Sequence, residues 1–185
     1  MIHLRSIRTN DEAYAFVENL FLSAFPEDER RNTDAQRYNT DENPLFYCCL
    51  AEEVNEPIGF FTFWDFDTFC YGEHFAIDPT RRNGGYGQQV IRALLEKINR
   101  PLVLEVELPE DEMSRRRIGF YERQGFTLWK EVPYTQPSYR PGGHTLPMHL
   151  MATEGLNPEE HFEKVKQRIY LSLIHISEPT RPISI

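Results

Sequence analysis

A chain of 185 residues with two fifths hydrophobic content can bury one core, and no repeat or low-complexity block divides it, so a single domain is expected. Its formal charge of -9 speaks against nucleic acid as a partner, since phosphate backbones need clustered Lys and Arg, and suits a cationic or amine substrate better. No apolar run reaches the length of a bilayer span and the amino terminus lacks the pattern of a signal peptide, so no membrane partner is expected and the expected location is cytoplasmic.

Met1 to Arg8 alternates as a strand. Asn10, Asp11 and Glu12 then offer a cap for a helix whose Ala13, Phe16, Val17, Leu20, Phe21 and Ala24 recur at helical spacing until Pro26. The charged segment Pro26 to Arg31 reads as a solvated connector in preference to a substrate contact, and a short helical or irregular piece follows through Tyr38. Phe46 to Glu53 and Pro57 to Phe66 are expected as strands joined at Asn55-Glu56, with Cys70 to Ile77 as a third in the same meander. Cys48, Cys49 and Cys70 show no CxxC spacing and read as buried, reduced thiols. The six histidines show no paired ligand spacing, so no metal is expected.

Between Asp78-Pro79 and an amphipathic helix beginning near Gln88 lies the run Arg82-Asn83-Gly84-Gly85-Tyr86-Gly87. A flexible, side-chain-poor turn that opens a helix presents free backbone N–H groups at the positive end of the macrodipole, and glycines let phosphate oxygens approach them. The helix after it carries Val90, Ile91, Leu94, Leu95 and Ile98 on one face, which should lie on the sheet. Leu102 to Leu108 alternates as a strand and sets Glu105 and Glu107 on one side. A helix from about Glu112 to Gln124 closes at Gly125. Phe126 to Tyr134 and Thr145 to Ala152 then form a closing pair of strands linked by a Pro- and Gly-rich segment. Asn157-Pro158-Glu159-Glu160 starts a last helix, about residues 158–170, with Phe162, Val165 and Ile169 on its apolar face.

The order Asp-Pro, Arg82-x-x-Gly85-x-Gly87, amphipathic helix, strand, then Ile118-Gly119-Phe120-Tyr121-Glu122-Arg123-Gln124-Gly125-Phe126 resembles the GNAT superfamily of acyl-CoA-dependent N-acetyltransferases over most of residues 1–152. That resemblance implies an α+β fold with a mostly antiparallel twisted sheet of about six to seven strands, splayed in the middle at the acetyl-CoA site and flanked by helices on both faces. It implies acetyl transfer from acetyl-CoA, as cosubstrate, to a primary amine of a small molecule, peptide or protein, by direct attack in a ternary complex without a metal. The alternative is a non-catalytic acyl-CoA-binding or regulatory domain of the same fold. A nucleotide-binding switch finds no support, because no GxxxxGK[ST] motif is present. Pairing of a sheet edge or of the last helix into a homodimer is compatible with the pattern.

By the same resemblance Arg82, Asn83, Gly84, Gly85, Tyr86, Gly87 and Gln88 wrap the pyrophosphate, mainly through backbone donors. Backbone groups near Phe75, Ala76 and Ile77, on a bulged strand, bond the pantetheine arm as though it were an added strand. Tyr121 takes the position of the general acid beside the departing sulfur and also contacts the cofactor. For the base Glu73 is favoured, with Glu105 and Glu107 as rivals, since burial in a cleft raises a carboxyl toward the range a base needs. Many members carry Asn seven residues before the tyrosine; Ser114 stands there instead and still has one bond to donate to the cofactor. Arg115-Arg116-Arg117 beside it reads as a solvated helix face, and Tyr134, Tyr139 and Arg140 are candidates to line the acceptor side.

The stretch Leu171 to Arg181 resembles the translation of an adapter used to prepare sequencing libraries. The domain is therefore expected to occupy residues 1–170, with 171–185 a non-native tail left out of fold and site reasoning.

Overall fold

Apolar alternation and turn residues resolve into β1 (Ile2–Ser6), α1 (Tyr14–Ala24), α2 (Thr33–Glu42), β2 (Phe46–Glu53), β3 (Glu56–Asp65), β4 (Cys70–Ile77), α3 (Tyr86–Ile98), β5 (Leu102–Glu107), α4 (Glu112–Arg123), β6 (Thr127–Leu128), β7 (Tyr134–Gln136), β8 (Leu146–Ala152) and α5 (Pro158–Ile174). These come from a computed structural model that describes residues 1–174. All the strands join one sheet in the order β1-β2-β3-β4-β5-β8-β6, with β7 also on β8. Every pairing is antiparallel except β4 with β5.

The sheet has eight strands where about six to seven were expected, and the single strand anticipated over 126–134 is two. Trp129 still donates its N–H to Leu150 O at 2.9 Å, but the chain then leaves the sheet and returns only after Pro133, which has no N–H to give a ladder. Also unlike the expectation, the piece after the charged connector is a full helix, α2, capped by the Asn32 side chain on Ala35 N–H at 2.8 Å.

Helices cover both faces. On one, Val17, Leu20 and Phe21 of α1 and Phe162, Val165, Ile169 and Leu173 of α5 pack against Leu50, Phe60, Tyr71, Val103 and Leu150 of the sheet. On the other, Ile91 and Leu94 of α3 and Ile118 of α4 meet Phe61, Leu102, Leu104 and Met151. The last helix runs four residues beyond the expected 170, and Leu173 extends its apolar stripe into the core. The remainder of the expected tail, 175–185, lies outside the described residues. Cys48, Cys49 and Cys70 are buried and free, and no described helix is long and apolar enough to cross a membrane.

Two local defects in the sheet create the site. The β3–β4 register shifts between Thr62 and Phe63, so that Gly72 faces Phe63 and His74 faces Thr62, leaving Glu73 as the extra residue of a bulge. At the same height the parallel pairing of β4 with β5 stops, at Gly72 with Leu104. Gly72 is needed there, since a Cβ would lie 2.6 Å from Leu104 Cδ2 and 2.7 Å from Phe61 Cζ. Beyond it β4 and β5 part, and a cleft opens between them.

Candidate active site

The cleft has a volume of about 550 Å³ and is lined by the free edge of β4, the turn before α3, the end of β5 and Tyr121 of α4. Its first wall is backbone. Asp78 N–H bonds Ile58 O at 2.8 Å, and strand alternation then turns the amides of Ala76 toward β3 and those of Phe75 and Ile77 toward the cleft. The position of Ala76 O, 2.5 Å from where a Cβ on Gly59 would stand, agrees with this. Of the three residues expected to offer main-chain bonds, Phe75 and Ile77 therefore turn their amides to the cleft and Ala76 does not, though all three line it.

The second wall is the glycine turn. Asn83 and Gly85 have φ of +66° and +76°, the left-handed conformation that reverses the chain into α3, and a Cβ on Gly85 would meet no atom within 4 Å. Gln89 is the first residue of α3 whose N–H is bonded, to Gly85 O at 3.3 Å. From Asn83 to Gln88 no backbone N–H donates to another described residue. Six consecutive donors without a described partner, at the positive end of a 13-residue helix, are an arrangement able to receive an anion. Arg82, Asn83, Gly85, Tyr86 and Gly87 line the cleft, as does Arg81, which sequence patterning did not single out; Gly84 and Gln88 are not among its lining residues.

Tyr121 reaches the cleft from α4, its ring edge-on to Phe120 and Phe126, and its hydroxyl bonds no described residue. Burial pushes its phenol up to about 12, against a small opposing effect of Arg117, so it holds its proton at neutral pH. Ser114 does not line the cleft: it is buried, and its hydroxyl donates to Glu107 Oε2 at 2.9 Å, tying the start of α4 to β5. In the arginine run, Arg116 pairs with Glu112 on the helix surface, whereas Arg117 reaches Glu107 Oε1 at 3.4 Å and borders the cleft.

Glu73, at the bulge, is sealed. Its carboxylate pairs with Arg31 and accepts from Trp64 Nε1 at 3.2 Å and from the Tyr139 hydroxyl at 3.4 Å, and neither charged side chain is more than 1% exposed. Burial alone would raise this carboxyl, but the Arg31 guanidinium, with the hydrogen bonds from Arg31 and Trp64, holds it below the usual range. An anion so held gains nothing from an incoming proton, which is poor equipment for the base expected of it. His74 is buried beside it, donates from Nε2 to Glu29 O at 2.9 Å, and is kept neutral at pH 7 mainly by burial.

The expected solvated connector over Pro26–Arg31 is exposed from Pro26 to Glu29 but not at its end, where Arg31 turns inward. Arg31 is 1% exposed, bonds Gln36 Oε1 at 2.5 Å and lies over the rings of Phe46 and Tyr139. Phe25 and Glu29 line the cleft. Nothing local in the sequence distinguishes Arg31 from its charged neighbours; its partner is 42 residues away.

Glu105 sits one residue past the point where β4 and β5 part. Its Oε1 accepts from the hydroxyl of Tyr71 and from Gln136 Nε2 at 3.2 Å, and its Oε2 accepts from Tyr134 at 2.7 Å. Burial raises this carboxyl, the three donors only partly oppose that, and Glu73 adds to it. A smaller cavity of about 120 Å³ continues from the cleft past Glu105, bounded by Phe25, Glu29, Gln136 and Tyr139. Of the three residues expected on this side, Tyr134 and Tyr139 are bound to the two buried carboxylates, while Arg140 pairs with Glu27 at the surface.

Residues 14–126 match the model of the acetyltransferase (GNAT) family. No curated protein matches the sequence. Among solved structures, a protein of Bacteroides thetaiotaomicron assigned to the GNAT acetyltransferases is 42% identical with a TM-score of 0.90, over 95% of this chain and 99% of that one. An aminoglycoside 6'-N-acetyltransferase in complex with coenzyme A shares the fold at 16% identity and a TM-score of 0.61, over 82% and 96% of the two chains. A GNAT-family acetyltransferase of Elizabethkingia anophelis with acetyl-CoA bound does so at 18% identity and 0.55, over 83% and 97%.

Proposed function

Because the chain belongs to the GNAT acetyltransferase family, we propose that it transfers the acetyl group of acetyl-CoA to a primary amine by direct attack within one cleft. The observation that carries this is the row of unpaired amides from Asn83 to Gln88, set beside the outward amides of Phe75 and Ile77. The first group suits a diphosphate and the second an amide-containing arm laid along the edge of β4, so the residues present fit coenzyme A. Two structures of the same fold hold coenzyme A or acetyl-CoA. Bound there, the cosubstrate supplies an acetyl thioester and leaves as a thiol.

The chain's own side chains divide the proton work. Tyr121 keeps a proton on its free hydroxyl for the departing sulfur. Glu105 takes the proton that the amine must lose, directly or through a water, since its raised carboxyl accepts one more readily than the cation-locked Glu73. One lone pair of Oε2 is left after its three bonds. Orientation of both reactants in the splayed cleft supplies much of the acceleration. Three buried thiols suit a reducing cytoplasm.

The test is release of thiol from acetyl-CoA over a panel of spermidine, lysine methyl ester, an alanyl peptide and kanamycin. We expect turnover on at least one amine and, for Tyr121→Phe, a kcat lower by roughly 10²-fold with acetyl-CoA affinity little changed. Tight binding without turnover on any amine would replace this function with that of a non-catalytic acyl-CoA-binding domain.

A further inference from the structure

Three hydrogen-bond donors from two elements converge on Glu105. Tyr71 comes from β4, before the strands part, while Tyr134 and Gln136 are the first and last residues of β7. β7 is three residues long, pairs among the described strands only with β8, and is preceded and followed by Pro-containing loops. Its two inward donors are what it delivers to the cleft. Tyr134 is 3% exposed and its ring packs near Tyr170 of α5, whose hydroxyl in turn holds Thr135 O at 2.6 Å, so the strand is fixed from behind.

We propose that Tyr134, with Tyr71 and Gln136, is a positioning residue for acetyl transfer: the three donors orient the Glu105 carboxylate at the mouth of the cleft and keep it able to receive a proton. The proposal rests on the assignment of Glu105 as proton acceptor. An ionised carboxylate left without partners in this place would be desolvated by the walls of the cleft and repelled by Glu73, and it would pick up a proton permanently. Hydrogen bonds to the anion counter that without supplying a full charge, which would lock it as Arg31 locks Glu73. The other groups facing Glu105 are Glu73 with its partners Arg31 and His74, Tyr139 from the loop before β8, Tyr170 from α5, and Glu107 with Arg117 at the outer end of β5. The phenols of Tyr71, Tyr134 and Tyr139 are all pushed upward by burial first and by the buried carboxylates next, so they remain donors throughout the working range.

The sign of the effect follows. Removing a donor destabilises the anion, so Glu105 binds its proton more tightly and the rate falls off at higher pH on its acid side. The experiment is a carbon-detected NMR titration of the glutamate carboxyls of the full chain without ligands, with the Glu105 signal assigned by its loss in Glu105→Gln. It is run beside the pH profile of thiol release from acetyl-CoA with the fastest amine of the panel. For Tyr134→Phe the NMR midpoint and the acid limb are both expected to move upward by roughly one pH unit. Gln136→Leu, which removes the longer bond from a less buried position, is expected to move both in the same direction by less, and it serves if Tyr134→Phe folds poorly. An NMR midpoint unmoved in both variants overturns the cradle itself. A midpoint that moves while the acid limb stays put overturns Glu105 as proton acceptor, and with it the cradle's catalytic purpose.

Discussion

Glu73 and Glu105 stand on neighbouring strands at the same cleft, and the chain treats these two buried carboxylates in opposite ways. Glu73 receives a guanidinium, Arg31, and is pulled below its ordinary range; Glu105 receives only neutral donors and stays above it. A full opposing charge cancels the cost of burial and fixes the anion. Neutral hydrogen bonds cancel it in part and leave a group that can still exchange a proton. Adjacent positions in one splayed sheet thus yield a structural anchor and a candidate for chemistry, and the partner decides which.

Removing one side of the contrast should have the largest effects. In Glu105→Gln, kcat is expected to drop about 10²- to 10⁴-fold, while Glu73→Gln changes it far less, as steady-state thiol release would record. If Glu73→Gln is instead the variant that loses activity, the division of roles is reversed. Next comes Arg31→Met, which strands Glu73 in the interior and should cost about 3–5 kcal/mol in urea denaturation. The double change Arg31→Met with Glu73→Met should recover much of that loss, because no unpaired charge remains.

The smallest effect sharpens the comparison most, since the two carboxylates tilt stability in opposite directions. Glu73 binds its proton less tightly folded than unfolded, so the stability it contributes is present above the ordinary carboxylate range and lost as pH falls through its lowered folded value. Glu105 binds its proton more tightly folded, so its contribution is greatest in acid and is lost as pH rises from the ordinary range through its raised value. Denaturation of Glu73→Gln between about pH 3 and 7 should show less loss toward acid than the wild type, and Glu105→Gln less loss toward neutrality.

How much of this could be read beforehand depended on whether the deciding contacts were local. β2 and β4 occupy the expected residues because each is an apolar run bounded by turn formers, and the turn around Gly85 announces itself by composition. The joining of Tyr121 to that turn across the cleft was accessible through the spacing of two motifs. Arg31 was not accessible, because a buried guanidinium and a solvated one look alike in a run such as Pro26–Arg31, and only the tertiary fold brings Glu73 to it. Glu105 and Glu107 could be placed on one side of β5, but the partners of Glu105 include Tyr71 and Tyr134, 34 and 29 residues away. Ser114 meets Glu107 only seven residues away, but that contact depends on how α4 packs against the end of β5, which spacing alone does not state.

Cosubstrate binding by this chain depends above all on free main-chain donors, and amide chemical shifts report on these directly. Titration of the full chain with coenzyme A, followed by 1H–15N correlation, should saturate with the largest shifts at Asn83 to Gln88 and at Phe75 and Ile77, while the Ala76 amide, bonded toward β3, moves little. Saturable binding that leaves Asn83 to Gln88 unshifted, or no binding at all, would contradict that dependence.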